Sequence, residues 1–531
     1  MRTDTKMATV AFILLCHKDR EAITAQVERL TAAGDKVAVH FDARASQSDY
    51  EALRSNFVGN PDVAFAKTRV KCGWGEWSLV AATLIAVRTA FEAFPEATHF
   101  YLLSGDCMPI KSAQYVHEYL DARDADIIES FDFFESDWIK TGLREERLIY
   151  RHIFNERTQP RRYYAAIKLQ QVLGLKRAIP ADLRMMIGSQ WWCLRRRTIE
   201  KLLQFVDQNK GIERFFRTTW IPDETFFQTL VRHLVAEVEI DCRTPTFLMF
   251  SDYGMPVTFY NDHFDLLLAQ DYLFARKISA EAEELKARLG AVYAEVDRNF
   301  SVSDEGRRLH GFLTGRGRIG QRFAPRFWER DATIGRERTL MLVTCKKWHV
   351  AKRLLDRVGM ATNLPAIEFL FDEGSTPLPD LGGIEATLDK RSRHRRAMVR
   401  MLFDYYETDR MILCLDPSRL HLLRDFFSDR CETRLLEIDC QYGDDYLQGH
   451  ARRVGLASEM TTEANFAALL PTLRNDLTRE IEAIRDERFP EFFRIKETAA
   501  PEENAAPLAK FLGIEHEKAL DIARTDYLFA D

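Results

Sequence analysis

Residues 10–16, V-A-F-I-L-L-C, form an unbroken apolar run that stops at H-K-D-R. A run with no polar alternation is the pattern of a strand covered on both faces, as in a parallel sheet. The theme then repeats. The spacing predicts a helix over 20–33, a strand over 36–41, a helix over 48–56 and a short strand over 63–65. A helix over 79–94, a strand over 98–103, a helix over 112–121 and a strand over 125–130 follow. This alternation predicts a largely parallel sheet with helices packed on it, an α/β fold. Ligands of such sheets lie beyond the carboxyl ends of the strands. His40 to Asp42 and Ser104-Gly105-Asp106 stand at two such ends, and position alone makes them site candidates.

The pattern is less regular from 131 to 182, a stretch rich in Arg and Tyr. A strand-like I-G-S-Q-W-W-C-L (187–194), a helix over 198–206 and a strand over 236–240 come next. Residues 306–338 then hold nine Arg and six Gly, which marks the best domain boundary. Two readings stay open for it: a solvated linker, or a basic strap touching a nucleotide, an anionic glycan or a membrane. Alternation resumes with strands over 339–344, 366–371, 410–415 and 434–438 and helices over 348–358 and 419–428. The expected organisation is an α/β domain over 1–305, a linker or strap over 306–337, and a second, smaller α/β domain over 338–531. The second domain has no G-x-x-x-x-G-K-[ST] and no G-x-G-x-x-G. Its end, A-A-P-L-A-K-F-L-G-I-E (505–515), is faintly similar to a sulfotransferase tail, but without a phosphate-binding loop that likeness is weak.

Composition removes several classes. The net charge of −6 argues against nucleic-acid binding by the whole chain, so any basic site must be local. Nine cysteines are scattered with no C-x-x-C pair, which fits neither a zinc site nor a disulfide framework and points to a reducing cytosol. The apolar run near the start is short, and charged residues follow where a signal peptide would carry a small-residue cleavage site. No run approaches the roughly 20 apolar residues of a membrane span. The expectation is a cytoplasmic protein whose membrane contact, where it has one, is peripheral at the inner face.

Five motifs occur in order: V-H-F-D-A-R-A-S (39–46), C-G-W-G-E-W-S (72–78), L-L-S-G-D-C-M-P-I-K-S (102–112), G-S-Q-W-W (188–192) with P-D-E-T-F-F-Q-T-L (222–230), and F-A-R-K-I (274–278). Together they resemble the core-2/I-branching β-1,6-N-acetylglucosaminyltransferase family, which also contains the peptide O-xylosyltransferases. The resemblance covers about residues 8–280 and leaves the C-terminal domain outside. It implies a GT-A-like fold, a UDP-sugar donor (UDP-GlcNAc or UDP-xylose) and inverting transfer to a hydroxyl, with neither a metal nor another cofactor required. The one D-x-D, Asp124-Ala125-Asp126, sits at a helix-to-strand junction and reads as a turn.

An inverting transfer needs a base for the acceptor hydroxyl and cations or dipoles for the departing diphosphate. Glu224 matches the family's base in its Pro-x-Glu step. Asp223 reads as the N-cap of the helix that follows and as a substrate contact beside the base. Lys277 matches the family's phosphate-binding cation, with Arg276 as a second contact. Arg161 is a further candidate for orienting donor or acceptor. Asp42 matches the acid that meets uracil or ribose, while His40 reads as a satisfied core histidine. Asp106 matches a Ser-Gly-x-Asp motif in which this chain is one residue shorter, and would hold sugar hydroxyls or organise its loop. Trp74 and Glu76 suit a sugar or base face with an acid for hydroxyls, although core packing of the aromatic pair Trp74 and Trp77 explains them equally well. Of Trp191 and Trp192, adjacent on a strand-like run, one should face sugar and the other the core; the spacing leaves open which.

The reading is an inverting glycosyltransferase that moves GlcNAc or xylose to a glycan or lipid-linked glycan, in bacterial polysaccharide or lipopolysaccharide assembly. The C-terminal domain is expected to recognise the acceptor or to form a homodimer. A protein O-xylosyltransferase is the runner-up, and a catalytically inactive UDP-sugar or glycan scaffold is the alternative from another class.

Overall fold

The computed structural model describes residues 8–136, 138–139, 142–249, 256–303 and 333–530. Two compact units divide the chain: Met1–Ala324 with Gly382–Ile384, and Pro325–Leu381 with Glu385–Asp531. Most of the Arg/Gly-rich stretch, residues 304–332, lies outside the described residues.

In the first unit the strands are β1 (Val10–Cys16), β2 (Lys36–Phe41), β3 (Val63–Phe65), β4 (His99–Ser104), β5 (Met108–Pro109) and β6 (Asp126–Ile127). Then come β7 (Phe131–Asp132), β8 (Met186–Ile187), β9 (Cys193–Arg195), β10 (Ile240–Asp241), β11 (Thr246–Phe247) and β12 (Phe274–Ala275). Seven of them form one sheet in the order β10-β6-β9-β4-β1-β2-β3. Only β9 runs against its neighbours β4 and β6; the other pairings are parallel. The chain leaves β1 toward β2 and β3, then returns to place β4 on the other side of β1. That reversal opens a crevice beyond the carboxyl ends of β1 and β4.

Burial explains the strands that the sequence predicts well. Val10 through Leu14 are fully buried, as are Val37, Ala38 and Phe100, and each fully buried Val, Leu or Phe is worth about 1.5–3 kcal/mol. The helix Arg20–Ala32 starts where Asp19 accepts the Ala22 N–H at 3.2 Å, and the helix Ala113–Asp121 where Ser112 accepts the Tyr115 N–H at 3.2 Å. Asp35 is fully buried and ties two helices together: it meets His117 Nε2 at 2.8 Å and takes the Tyr293 hydroxyl at 2.5 Å.

Three predicted strands of the first unit change, and in the second unit the strand expected over 366–371 is only Ala366–Ile367. The strand expected over 125–130 is only Asp126–Ile127. The run over 187–194 is split between β8, which pairs with β7, and β9, which pairs with β4 and β6 in the seven-stranded sheet; at Gly188 between them a Cβ would lie 2.2 Å from the Glu129 carbonyl oxygen. The strand over 236–240 begins instead as a 3-10 turn, Glu237–Glu239, whose acids pair with Arg232 and with Arg195 and Arg197. The D-x-D is structural here. Arg195, 5% exposed, donates to Asp124 at 2.8 Å and to Asp126 at 2.7 Å, and Thr198 also donates to Asp126 at 2.7 Å.

The second unit carries β13 (Thr339–Thr344), β14 (Ala366–Ile367), β15 (Arg410–Leu415), β16 (Glu432–Asp439) and β17 (Phe492–Lys496). They form an all-parallel sheet in the order β14-β15-β13-β16-β17. The segment after β13 reads C-K-K before the helix Trp348–Thr362, and its cations are engaged. Lys346 donates to Asp416 at 2.9 Å and Glu480 at 2.7 Å, and Lys347 lies 3.9 Å from Glu497. The stretch 505–515 falls on the helix Pro501–Leu512, closed by Gly513 in the left-handed region (φ 60°). Among the described residues, no helix is long and apolar enough to cross a membrane.

Candidate active site

A cleft of about 620 Å³ opens at the carboxyl ends of β1, β2 and β4 in the first unit. Lys18 and Asp19 reach it from β1, Asp42 from β2, and Ser104 to Asp106 from β4. The far wall comes from Ser189 to Trp191, from Ile221, Asp223 and Glu224, and from Arg276 to Ala280.

One end is cationic. Asp106 stands between two ammonium groups, Lys18 at 3.8 Å and Lys277 at 3.7 Å. Its backbone carbonyl also accepts the Ile278 N–H at 3.0 Å, so the turn after β4 and the A-R-K segment are held together twice. Burial pushes Lys277 below the usual lysine range, and the Asp106 carboxylate offsets part of that. The Arg276 guanidinium lies 4.3 Å over the Trp191 ring. Further cations, Arg29 and Lys286, line the same cleft.

Asp42 is only 8% exposed, and its carboxylate accepts the Arg44 N–H at 2.7 Å and the Cys72 N–H at 3.3 Å. It therefore builds the loop that leads to Trp74 while lining the cleft. His40 is buried, with Nε2 accepting the Val70 N–H at 3.0 Å. Burial lowers its pKa, and the acceptor role fits the neutral ring of a structural histidine.

The other end is aromatic and acidic. Trp74 is 43% exposed, meets the Trp220 ring edge-on at 5.6 Å, and carries the Arg157 guanidinium 3.6 Å over its ring. Gly75 adopts φ +71°, and a Cβ there would sit 3.1 Å from Trp220. The Gly75 carbonyl accepts the Ile221 N–H at 3.0 Å, which couples the Trp74 loop to the turn at 222–224. In that turn Glu224 pairs with Arg147 at 3.1 Å, and its carbonyl accepts the Gly188 N–H at 3.0 Å. The two side chains are 18% and 11% exposed.

The structure thus brings Asp42, Trp74, Asp106, Trp191, Asp223, Glu224, Arg276 and Lys277 to one cleft. It places three other candidates elsewhere. The Glu76 carboxylate accepts from Asn155 Nδ2 at 2.7 Å and from the Ser78 hydroxyl at 3.3 Å, outside the cleft lining. Trp192 is fully buried against Phe227, with ring centroids 5.1 Å apart, so Trp191 is the member of the pair at the cleft. Arg161 is exposed on the helix Pro160–Val172, away from the cleft; Arg157, four residues earlier, lines it instead.

The capping role expected of Asp223 is also corrected. Pro222–Glu224 is a separate 3-10 turn, and the helix Phe226–Leu234 starts after Thr225. The Thr225 hydroxyl donates back to the Pro222 carbonyl at 3.3 Å, and Thr225 N–H does so at 3.1 Å, closing the turn before the helix begins. Arg147, Arg157 and Lys18 are the side chains that sequence reasoning missed. The first two come from the irregular Arg-rich stretch, where no periodicity points to a face.

Among the described residues, no cluster of three or more His, Cys, Asp or Glu is arranged to hold a metal ion. A carboxylate held by a cation beside an aromatic platform, with cations at the opposite end, can accept a proton from a bound hydroxyl and neutralise an anionic leaving group.

Residues 10–251 match the family model described as Core-2/I-Branching enzyme, and residues 276–531 match a family of unknown function, DUF5928. Arg276 and Lys277 therefore lie beyond the first match and open the second. The crystal structure of the apo-form glycosyltransferase GlyE of Streptococcus pneumoniae TIGR4 aligns over 90% of this chain and 99% of that chain, at 10% identity and a TM-score of 0.21. That likeness is too weak to carry an argument. No curated protein matches the chain.

Proposed function

We propose that the protein is an inverting, metal-independent transferase that moves GlcNAc or xylose from a UDP-sugar to a hydroxyl of a glycan acceptor, a reading supported by the match of residues 10–251 to the Core-2/I-Branching enzyme family model. One observation carries the reading: a single cleft has Glu224 and Asp223 beside Trp74 at one end and Lys18, Lys277 and Arg276, the last over the Trp191 ring, at the other. Aromatic faces suit sugar C–H surfaces, and the cations suit a diphosphate.

In this mechanism the acceptor hydroxyl approaches Glu224, which takes its proton as the oxygen attacks the anomeric carbon. The bond from that carbon to the donor diphosphate breaks on the opposite face. The charge that appears on the diphosphate is met by Lys277 and Arg276, with Lys18 behind Asp106. Arg147 keeps the Glu224 carboxylate in one orientation. Asp42 shapes the loop at the nucleoside end. The setting is a bacterial polysaccharide or lipopolysaccharide assembly step.

The test is UDP release from a panel of UDP-sugars in the presence of a chelator. Turnover with UDP-GlcNAc or UDP-xylose is expected, and Glu224→Gln should lower it by roughly 10²–10⁴-fold while UDP still binds. UDP binding without turnover for every donor would replace the enzyme reading with that of a scaffold.

A further inference from the structure

The helix Pro160–Val172 buries a narrow face. Tyr163 and Ile167, one turn apart, pack with Ile149, Tyr150 and Trp220. The opposite face is apolar and open. Tyr164, Leu169 and Val172 are 54%, 58% and 72% exposed, and Leu173 and Leu175 just past the helix end are 59% and 51% exposed. The helix closes on Gly174 in the left-handed region, with the Leu175 N–H donating to the Gln170 carbonyl at 2.9 Å. In such a cap the residue after the glycine commonly folds back on the last turn; here Leu175 stays half exposed.

The same stretch is strongly basic. Residues 151–177 contain seven Lys or Arg and one acid, Glu156, in a chain of net charge −6. Glu156 is already engaged by the Tyr164 hydroxyl. Arg161, Arg162, Lys168 and Lys176 are all exposed, and among the described residues none of the four has an acidic partner. At helical spacing, Ala165, Leu169 and Val172 form a strip, with Arg161, Arg162 and Lys168 around it.

We propose that this face is a docking surface for an anionic phospholipid bilayer. The exposed apolar side chains would enter the boundary between headgroups and acyl chains, and the surrounding cations would meet lipid phosphates. Charge decides between a bilayer and a second copy of the chain, because a two-fold contact on this face would set the same cations against each other. The face is also close to the cleft through its core side. Tyr163 packs on Trp220 with ring centroids 5.0 Å apart, and Trp220 packs on Trp74 at the acceptor end. Docking therefore brings the acceptor end near the lipid surface and assigns the acceptor to the lipid-linked class; this last step rests on the proposed transferase function.

The experiment is co-sedimentation of the full chain with vesicles of phosphatidylcholine alone or mixed with phosphatidylglycerol, compared with the L169E/V172E variant. Binding to the anionic vesicles is expected to exceed binding to the neutral ones by about tenfold or more, and the variant should lose most of that gain. The variant should melt as the wild type does and release UDP at the wild-type rate without vesicles. Equal binding of variant and wild type, or no preference for anionic vesicles, overturns the proposal. So does a dimer in sedimentation velocity that the variant dissolves. Retained anionic-vesicle binding in a chain that never releases UDP would support the docking face while removing the transferase reading.

Discussion

The guanidinium of Arg147 lies 3.1 Å from the carboxylate of Glu224, across 77 residues of chain. Both side chains are mostly shielded from water, so the pair fixes a direction for the carboxylate that an exposed pair would not. Arg147→Met should lower kcat by about 10–100-fold through loss of that orientation, with UDP affinity unchanged. Arg147→Lys should recover part of the loss. Steady-state kinetics with titration of UDP checks both, and wild-type kcat in Arg147→Met would reduce the pair to a structural contact.

Lys277 gives an alkaline signature. Burial holds it below the ordinary lysine range despite Asp106. Donor affinity should therefore decline as pH rises through that lowered value, where the ammonium is lost. Lys277→Arg keeps its charge throughout and should remove the decline. Calorimetric titration of UDP between about pH 7 and 10 measures it; identical pH dependence in both proteins would take Lys277 out of the phosphate site.

Asp35 and His117 give a stability signature near neutrality. Burial disfavours the charged ring, but the hydrogen bond and charge of Asp35 outweigh it and raise the His117 pKa. The stabilisation is then fully present below the unfolded value of about 6.5 and is lost as pH rises through the higher folded value. Thermal melts of wild type and His117→Gln should diverge most on the acid side of that window and converge above it. A constant gap would mean that the pair contributes packing alone.

Chelation separates the D-x-D from catalysis. Asp126 is fully buried and binds Arg195 and Thr198, so Asp126→Asn should cost about 3–5 kcal/mol in unfolding free energy by weakening a buried network. Turnover per folded molecule should be unaffected by EDTA and nearly unaffected by Asp124→Asn. Loss of activity on chelation, restored by a divalent ion, would contradict the metal-independent mechanism.

Much of the fold was legible because the strands of a parallel sheet are written as mainly apolar runs. Residues 10–16, 36–41, 63–65, 339–344 and 410–415 are strands at the predicted bounds. Reading failed where pairing partners decide. At 125–130 and 236–240 the edge of the sheet and the Arg195 network shorten or replace the strand, and neither effect is encoded locally. The site divides in the same way. Asp42 and Asp106 follow strand ends, which topology sends to the crevice. Glu76 and Trp192 sit beside cleft residues in sequence but turn toward Asn155 and Phe227, contacts made by distant segments. Arg147 had no periodic context to single it out.

The hydrogen bond from Ile221 to the Gly75 carbonyl, with Trp220 filling the space that a side chain at 75 would occupy, has a consequence for how such a site can change. The loop that carries Trp74 and the turn that carries Glu224 are stitched along one seam. A substitution that reshapes the Trp74 loop will also re-aim the carboxylate, so under the proposed mechanism the breadth of acceptors accepted and the speed of transfer are mechanically linked traits. Variants selected for a new acceptor should at first be slow, and recovery of speed should come from residues along that seam, not from the residues that touch the sugar.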